Sequence, residues 1–265
     1  MRKHAPETVH HIDEDRVAVA GDWHGNVRWA DRVIPAIAKA DPSVRTVLHV
    51  GDFWPSATVL YRIDTVCRRF GIDRVLVTLG NHEPWDRVTE ELNSNPGRPV
   101  QISTAVHLLP RPYRFTIGER KFLSLGGAAS VDRLWRTPGQ EWWADEAITD
   151  QHVKDAIAGG PCDIMVSHET PHGSPVKAVS DALSSNPHGY PDITLQESAE
   201  SRRKLGKVWD AVRPQLLLHG HMHTPGGGMT PDGRRVISLG CDGQQMNAVL
   251  LDLNTLETGT VIARK

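Results

Sequence analysis

The most constraining feature of this 265-residue chain is a repeated local syntax: a β-type apolar run, a small residue, then a side chain able to bind a metal. Arg16 to Ala20 leads into Gly21-Asp22-Trp23-His24-Gly25-Asn26, Thr46 to Val50 into Gly51-Asp52, and Val75 to Leu79 into Gly80-Asn81-His82-Glu83. Ile164 to Ser167 leads into His168, and Gln215 to His219 into Gly220-His221-Met222-His223. One Gly-Asp or Asn-His pair is ordinary loop chemistry. Five at strand ends would gather at the carboxyl edge of a sheet, where loops converge and backbone amides stay free. The glycine before a ligand admits a tight turn without a Cβ clash.

Between these runs the apolar spacing becomes helical. Val27, Ala30, Ile34 and Ile37 share one face of a helix over 26–40, which Pro35 should kink. Leu60, Ile63, Val66, Cys67 and Phe70 mark a second helix with Gly71 as its stop. Leu195 to Val212 is the longest helical pattern, with Pro214 just beyond it, and Arg235 to Leu239 and Ala248 to Leu253 read as late strands. The alternation predicts a single α/β domain over 1–265. His172 to Ile193, rich in Pro, Ser, Gly and Asn, reads as a lid or rim loop.

Apolar residues at 39% and charged residues at 23% describe an ordinary globular protein. A formal charge of −2 argues against a broadly basic nucleic-acid surface, so any attraction for anions must be local. The first residues contain no apolar signal segment and nothing approaches the length of a membrane span, so a cytoplasmic location is expected. Cys67, Cys162 and Cys241 are odd in number and widely spaced, which suits reduced core thiols.

The five motifs offer four imidazoles, two carboxylates and a carboxamide as ligands, plus a fifth imidazole able to move protons. Imidazole suits transition ions and carboxylate or carboxamide oxygen suits harder ones such as manganese. Asp52, in the middle of the order, is the natural bridge between two ions. Two divalent ions, two carboxylates and a bridging hydroxide sum to about +1, which would draw a phosphate anion to an acidic chain; the ions also bring bound water towards neutral pKa.

These blocks resemble the calcineurin-like metallophosphoesterase superfamily, whose pattern D-x-H, G-D, G-N-H-[DE], H and G-H-x-H is intact here from Asp22 to His223. The resemblance implies a four-layer sandwich of two mixed β-sheets flanked by helices. It also implies that Asp22, His24, Asp52 and His223 hold one metal, and Asp52, Asn81, His168 and His221 a second. His82 would then be the proton donor or charge stabiliser. Manganese or an iron–manganese pair is expected, with zinc or nickel as substitutes. Gly126-Gly127-Ala128-Ala129 and Trp142-Trp143 resemble the middle of bacterial and phage members.

The second block departs from the serine/threonine protein phosphatases of that superfamily. Pro55 and Ser56 stand where those enzymes carry the acid that orients the histidine and the arginine that grips phosphate. A dianionic monoester gains most from such an arginine. Phosphodiesters, including nucleotide and cyclic-nucleotide ones, are therefore the expected substrates, ahead of a phosphomonoesterase, a DNA-processing nuclease or a non-catalytic scaffold. No stable nucleic-acid complex and no membrane partner are expected. Trp23, Trp54 and Trp85, each close to a ligand, are candidates with Asn81 and His82 to contact substrate, a base stacking on an indole. His4, His10, His11, His107 and His152 have no partner spacing and are read as surface residues. His219 reads as a strand residue behind the ligands, Cys241 as a buried thiol, and Glu83 and Asp86 as either supports of the site or hydrated loop residues.

Overall fold

In the computed structural model, residues 10–263 are described. In chain order they form β1 (His11–Ile12), β2 (Arg16–Ala20), α1 (Val27–Ala40), β3 (Thr46–His49), α2 (Ala57–Phe70), β4 (Arg74–Val77) and α3 (Trp85–Ser94). Next come β5 (Val100–Gln101), β6 (Val106–Leu108), β7 (Tyr113–Ile117), β8 (Arg120–Leu125), α4 (Asp150–Ala158) and β9 (Ile164–Ser167). The rest are α5 (Lys177–Leu183), α6 (Asp192–Val212), β10 (Leu216–His219), β11 (Gly226–Met229), β12 (Arg235–Ser238), β13 (Ala248–Asp252) and β14 (Thr258–Thr260).

The strands build two mixed sheets, ordered β14-β13-β2-β3-β4-β6-β5 and β1-β7-β8-β9-β10-β12-β11. Successive side chains of a strand point to opposite faces, and the apolar strands use both. Val17, Val19, Leu48 and Leu76 pack between the sheets against Phe122, Ile164, Val166 and Leu218. Their neighbours Ala18, Ala20, Val47, Val75 and Val77 face outwards under α1, α2 and α3. On the far side Leu123, Met165, Leu217 and Val236 lie under α4, α5 and α6. Three cores separated by two sheets make a four-layer α/β sandwich, as the resemblance implied.

Local chemistry explains the ends of the elements. Ser56 caps α2 by accepting from the Val59 amide, and Gly71 closes it in a left-handed conformation at φ 74°. The helix α1 continues across Pro35. The segment expected to be one long loop is not: Lys177–Leu183 forms α5, which packs along β11, and α6 already begins at Asp192. Apolar Val176 and Val179 bury there among polar neighbours too few in period to mark a helix. His152 is likewise more than a surface residue, because its ring accepts from the Thr149 amide in a capping box at the start of α4. Cys67 and Cys162 are buried free thiols, whereas Cys241 is only half-buried. His10 and His11 are exposed, and His4 lies outside the described residues. Among the described residues, no helix is long and apolar enough to cross a membrane.

Candidate metal centre

The ligand-bearing loops follow β2, β3 and β4 of one sheet and β9 and β10 of the other, so the site lies across the carboxyl ends of two sheets, not one. Parallel pairing of β2 with β3 and β3 with β4, and of β9 with β10, sets those ends side by side. Glycine serves close approach here more than turning. A Cβ on Gly80 would collide with Asp52 Oδ1, and one on Gly220 with Asp22 Oδ1. Strain is instead carried by the candidate ligands, since His24, Asp52, His221 and His223 have φ of 46°, 53°, 64° and 48°. Left-handed conformations cost non-glycine residues about 1–3 kcal/mol each and persist where surrounding structure enforces them.

Asp22, His24, Asp52 and His223 offer ligand atoms that all lie within 4.8 Å of one another. His223 Nε2 is 3.0 Å from Asp22 Oδ2, and His24 Nε2 is 3.6 Å from Asp52 Oδ2. The other oxygen of Asp52 turns the opposite way. Its Oδ1 is 3.3 Å from His168 Nε2 and accepts from the His82 amide at 2.8 Å. His168 Nε2 is also 2.9 Å from Asn81 Oδ1, and its ring centroid is 5.0 Å from that of His221. Asp52 thus divides its two oxygens between the two expected ligand groups.

The donor set fits divalent ions on a further observation. Asp22 Oδ1 is buried and, among the described residues, accepts no hydrogen bond, a costly state for a carboxylate oxygen without a cation. Electrostatics point the same way. Burial by itself would lower the His24, His168 and His223 pKa values, but Asp52 and Asp22 raise them to about 9, about 9 and about 10. The carboxylates therefore attract positive charge to these rings. His221 is pushed well down by burial and by the neighbouring His168 charge. Burial raises the Asp52 pKa, yet the His168 and His82 rings hold it well below the usual carboxylate range.

Support residues come from beyond the motifs. Asp242 Oδ1 lies 2.9 Å from His24 Nδ1, and its Oδ2 accepts from Asn26 at 2.6 Å. Such partners fix the orientation of a ligating imidazole. Gly240-Cys241-Asp242-Gly243 follows a strand just as the five motifs do, a signal the sequence did carry. Asn81 Nδ2 donates to Ser130, whose hydroxyl donates in turn to Glu146. Glu83 is buried and accepts from the amides of Phe53, Trp54 and Gly80, so it is a support of the loops and not a hydrated residue. Asp86 is exposed. His219 and His49 are fully buried behind the ligands, and burial lowers them to about 4 and about 3. Cys241 reaches the His223 ring from its half-buried place.

His82 projects between the loops, its ring centroid 6.1 Å from that of His24. The side chain against its ring is Arg136, which no sequence pattern marks. Two of the three tryptophans expected to meet substrate are corrected by the structure. Trp23 is 2% exposed, donates to Asn247 and packs edge-on to His49 at 4.6 Å. Trp85 is fully buried at the start of α3, with the Arg111 guanidinium 4.1 Å from its ring. Both brace ligand loops against the core because an indole there completes the packing under α1 to α3. Trp54 is 49% exposed.

No curated protein matches this sequence. Among solved structures, a dimetal phosphatase from Danio rerio superposes with a TM-score of 0.57 at 12% identity, over 97% of this chain and 100% of that one. The protein TT1561 of Thermus thermophilus superposes with a TM-score of 0.55 at 13% identity, again over 97% and 100%. At such identities the likeness is one of fold. The sequence pattern of the calcineurin-like phosphoesterases matches residues 15–225, and with the fold and ligand cluster in place, the chain belongs to the calcineurin-like phosphoesterase family.

Proposed function

We propose that this protein is a dinuclear metal-dependent phosphoester hydrolase. The observation that carries the reading is the placement of Asp52, with one oxygen facing His24 and the other His168. Two divalent ions, manganese or an iron–manganese pair by the mix of imidazole and oxygen donors, would supply Lewis acidity and an activated water at neutral pH. Asp22, His24, Asp52 and His223 would hold one ion, and Asp52, Asn81, His168 and His221 the other. Asp242 and Val50 fix two of the imidazoles from behind, through His24 Nδ1 and His168 Nδ1. His82 belongs to neither group; its amide is tied to Asp52, its ring lies against Arg136 with its centroid 6.1 Å from that of His24, and there it would protonate the leaving oxygen or stabilise charge on the phosphoryl group.

Trp54, half exposed and two residues after Asp52, suits a flat leaving group such as a nucleoside. The diester preference expected from the sequence drew on an arginine absent from the second motif, and Arg136 stands beside His82 from another part of the chain. Asp52→Ala should lose bound metal and hydrolysis together, read by metal analysis and by turnover of mono- and diester substrates with several metals. Full activity in that variant, or after exhaustive chelation, would sink the dinuclear reading.

A further inference from the structure

Arg136 lies on the excursion between β8 and α4, outside all five motifs, and the fold carries it to His82. Its two terminal nitrogens lie 2.5 Å from His82 Nδ1 and 2.7 Å from Nε2. Its other edge is held by Asp132, which accepts from Nε at 2.9 Å and from a terminal nitrogen at 2.6 Å. A neutral imidazole has one acceptor nitrogen and a protonated one has none. Two guanidinium N–H groups therefore cannot both be satisfied by one ring. Among the described residues, the nitrogen not bound by Asp132 has only the Glu141 carbonyl as a further acceptor, at a long 3.4 Å. The guanidinium is thus fixed from behind and short of acceptors in front, against a ring whose centroid is 6.1 Å from that of His24.

Resting on the phosphoesterase reading, we infer that Arg136 binds an oxygen of the transferred phosphoryl group and makes terminal phosphomonoesters the substrate class. A monoester dianion has three unesterified oxygens, so one remains for a donor beyond the ion pair. A planar guanidinium matches phosphate geometry with parallel N–H groups. In a diester a second ester group occupies that place and the charge is halved. The second motif does not provide this group because Ser56 caps α2 instead. Trp135, 59% exposed and 5.1 Å from Tyr190 between ring centroids, adjoins Arg136 and gives the leaving group an aromatic border.

The test uses the full-length, manganese-loaded protein and three variants, Arg136→Ala, Arg136→Lys and Asp132→Asn. Turnover of p-nitrophenyl phosphate is compared with that of bis(p-nitrophenyl) phosphate, and inorganic phosphate binding is measured by calorimetry. Wild type should favour the monoester. Arg136→Ala should lose about 10- to 100-fold in monoester kcat/KM and in phosphate affinity, the value of a hydrogen bond to a charged group. Its diester turnover should change far less, and Arg136→Lys should recover part of the phosphate affinity but not the full rate. If Arg136→Ala loses metal or melts early, Asp132→Asn, which keeps the guanidinium but frees its back edge, should show a smaller loss of the same selectivity. Equal losses on both esters, unchanged phosphate affinity, or a wild-type preference for the diester would each overturn the assignment. Should wild type hydrolyse neither ester, the phosphoesterase reading fails, and the phosphate titration still decides Arg136 by itself.

Discussion

Three tryptophans that look equivalent in the sequence have different work in the fold. Trp23 and Trp85 are sealed in the core while Trp54 is half exposed. Truncating a buried large aromatic typically costs about 3–5 kcal/mol, so Trp85→Ala should lower the melting temperature sharply on every assay. Trp54→Ala should leave the melt nearly unchanged and raise KM for a nucleotide substrate by roughly ten- to a hundredfold, since base stacking is worth about 1–3 kcal/mol. A small alkyl phosphate should hardly notice the change. Equal loss of turnover on flat and non-flat substrates in Trp54→Ala would show that its indole only braces the loop.

At the scale of elements, the strands are rigid mounts and the loops after them are tied together by one carboxylate. Glu83 precedes α3, yet it accepts from Phe53 and Trp54 in the loop after β3 and from Gly80 in its own loop, at 2.9–3.1 Å. Burial raises its pKa, with the nearby Asp52 charge adding to the effect, and the three amides oppose the shift. Glu83→Gln turns an amide donor towards backbone donors and leaves one unsatisfied, at a cost of about 1–3 kcal/mol. Thermal melts of the metal-free protein should show that loss, and metal retention should fall because the Asp52 loop loosens. Glu90→Gln, on the exposed face of α3, is the control and should do neither. A melt for Glu83→Gln equal to that of the control would remove the latch.

For the whole molecule, metal loading and pH must be linked. His24, His168 and His223 stand at about 9, about 9 and about 10 against an unfolded value of 6.5, because the carboxylates outweigh burial. Their protonation stabilises the metal-free fold fully below pH 6.5 and is lost as pH rises through 9 to 10. Ions need the neutral imidazole, so binding expels protons and its apparent affinity should grow with pH over the same window. The metal-free melting temperature should therefore fall from pH 6.5 towards 10 while the gain on adding manganese increases. Calorimetric titrations in buffers of different ionisation enthalpy count the protons. None released at pH 7 would contradict the linkage.

Residue order alone marked the mounts and the candidate ligands, because a strand end followed by glycine and a metal-binding side chain is a local signal. Arg16–Ala20, the helix stopped at Gly71 and the long helix ending at Val212 were legible for the same reason, as periodicity and caps act within one turn or strand. The tertiary structure decided what depends on contact between distant segments. Which of three similar tryptophans stays open depends on what covers it, and α1 to α3 bury Trp23 and Trp85 but leave Trp54. Asp242 meets His24 across 218 residues, and Arg136 meets His82 across 54. No pattern within either segment announces such a pairing, since the backbone that brings them together is set by two sheets packing through a shared apolar core. The arginine beside His82 arrives in this way from a part of the chain that no motif marks.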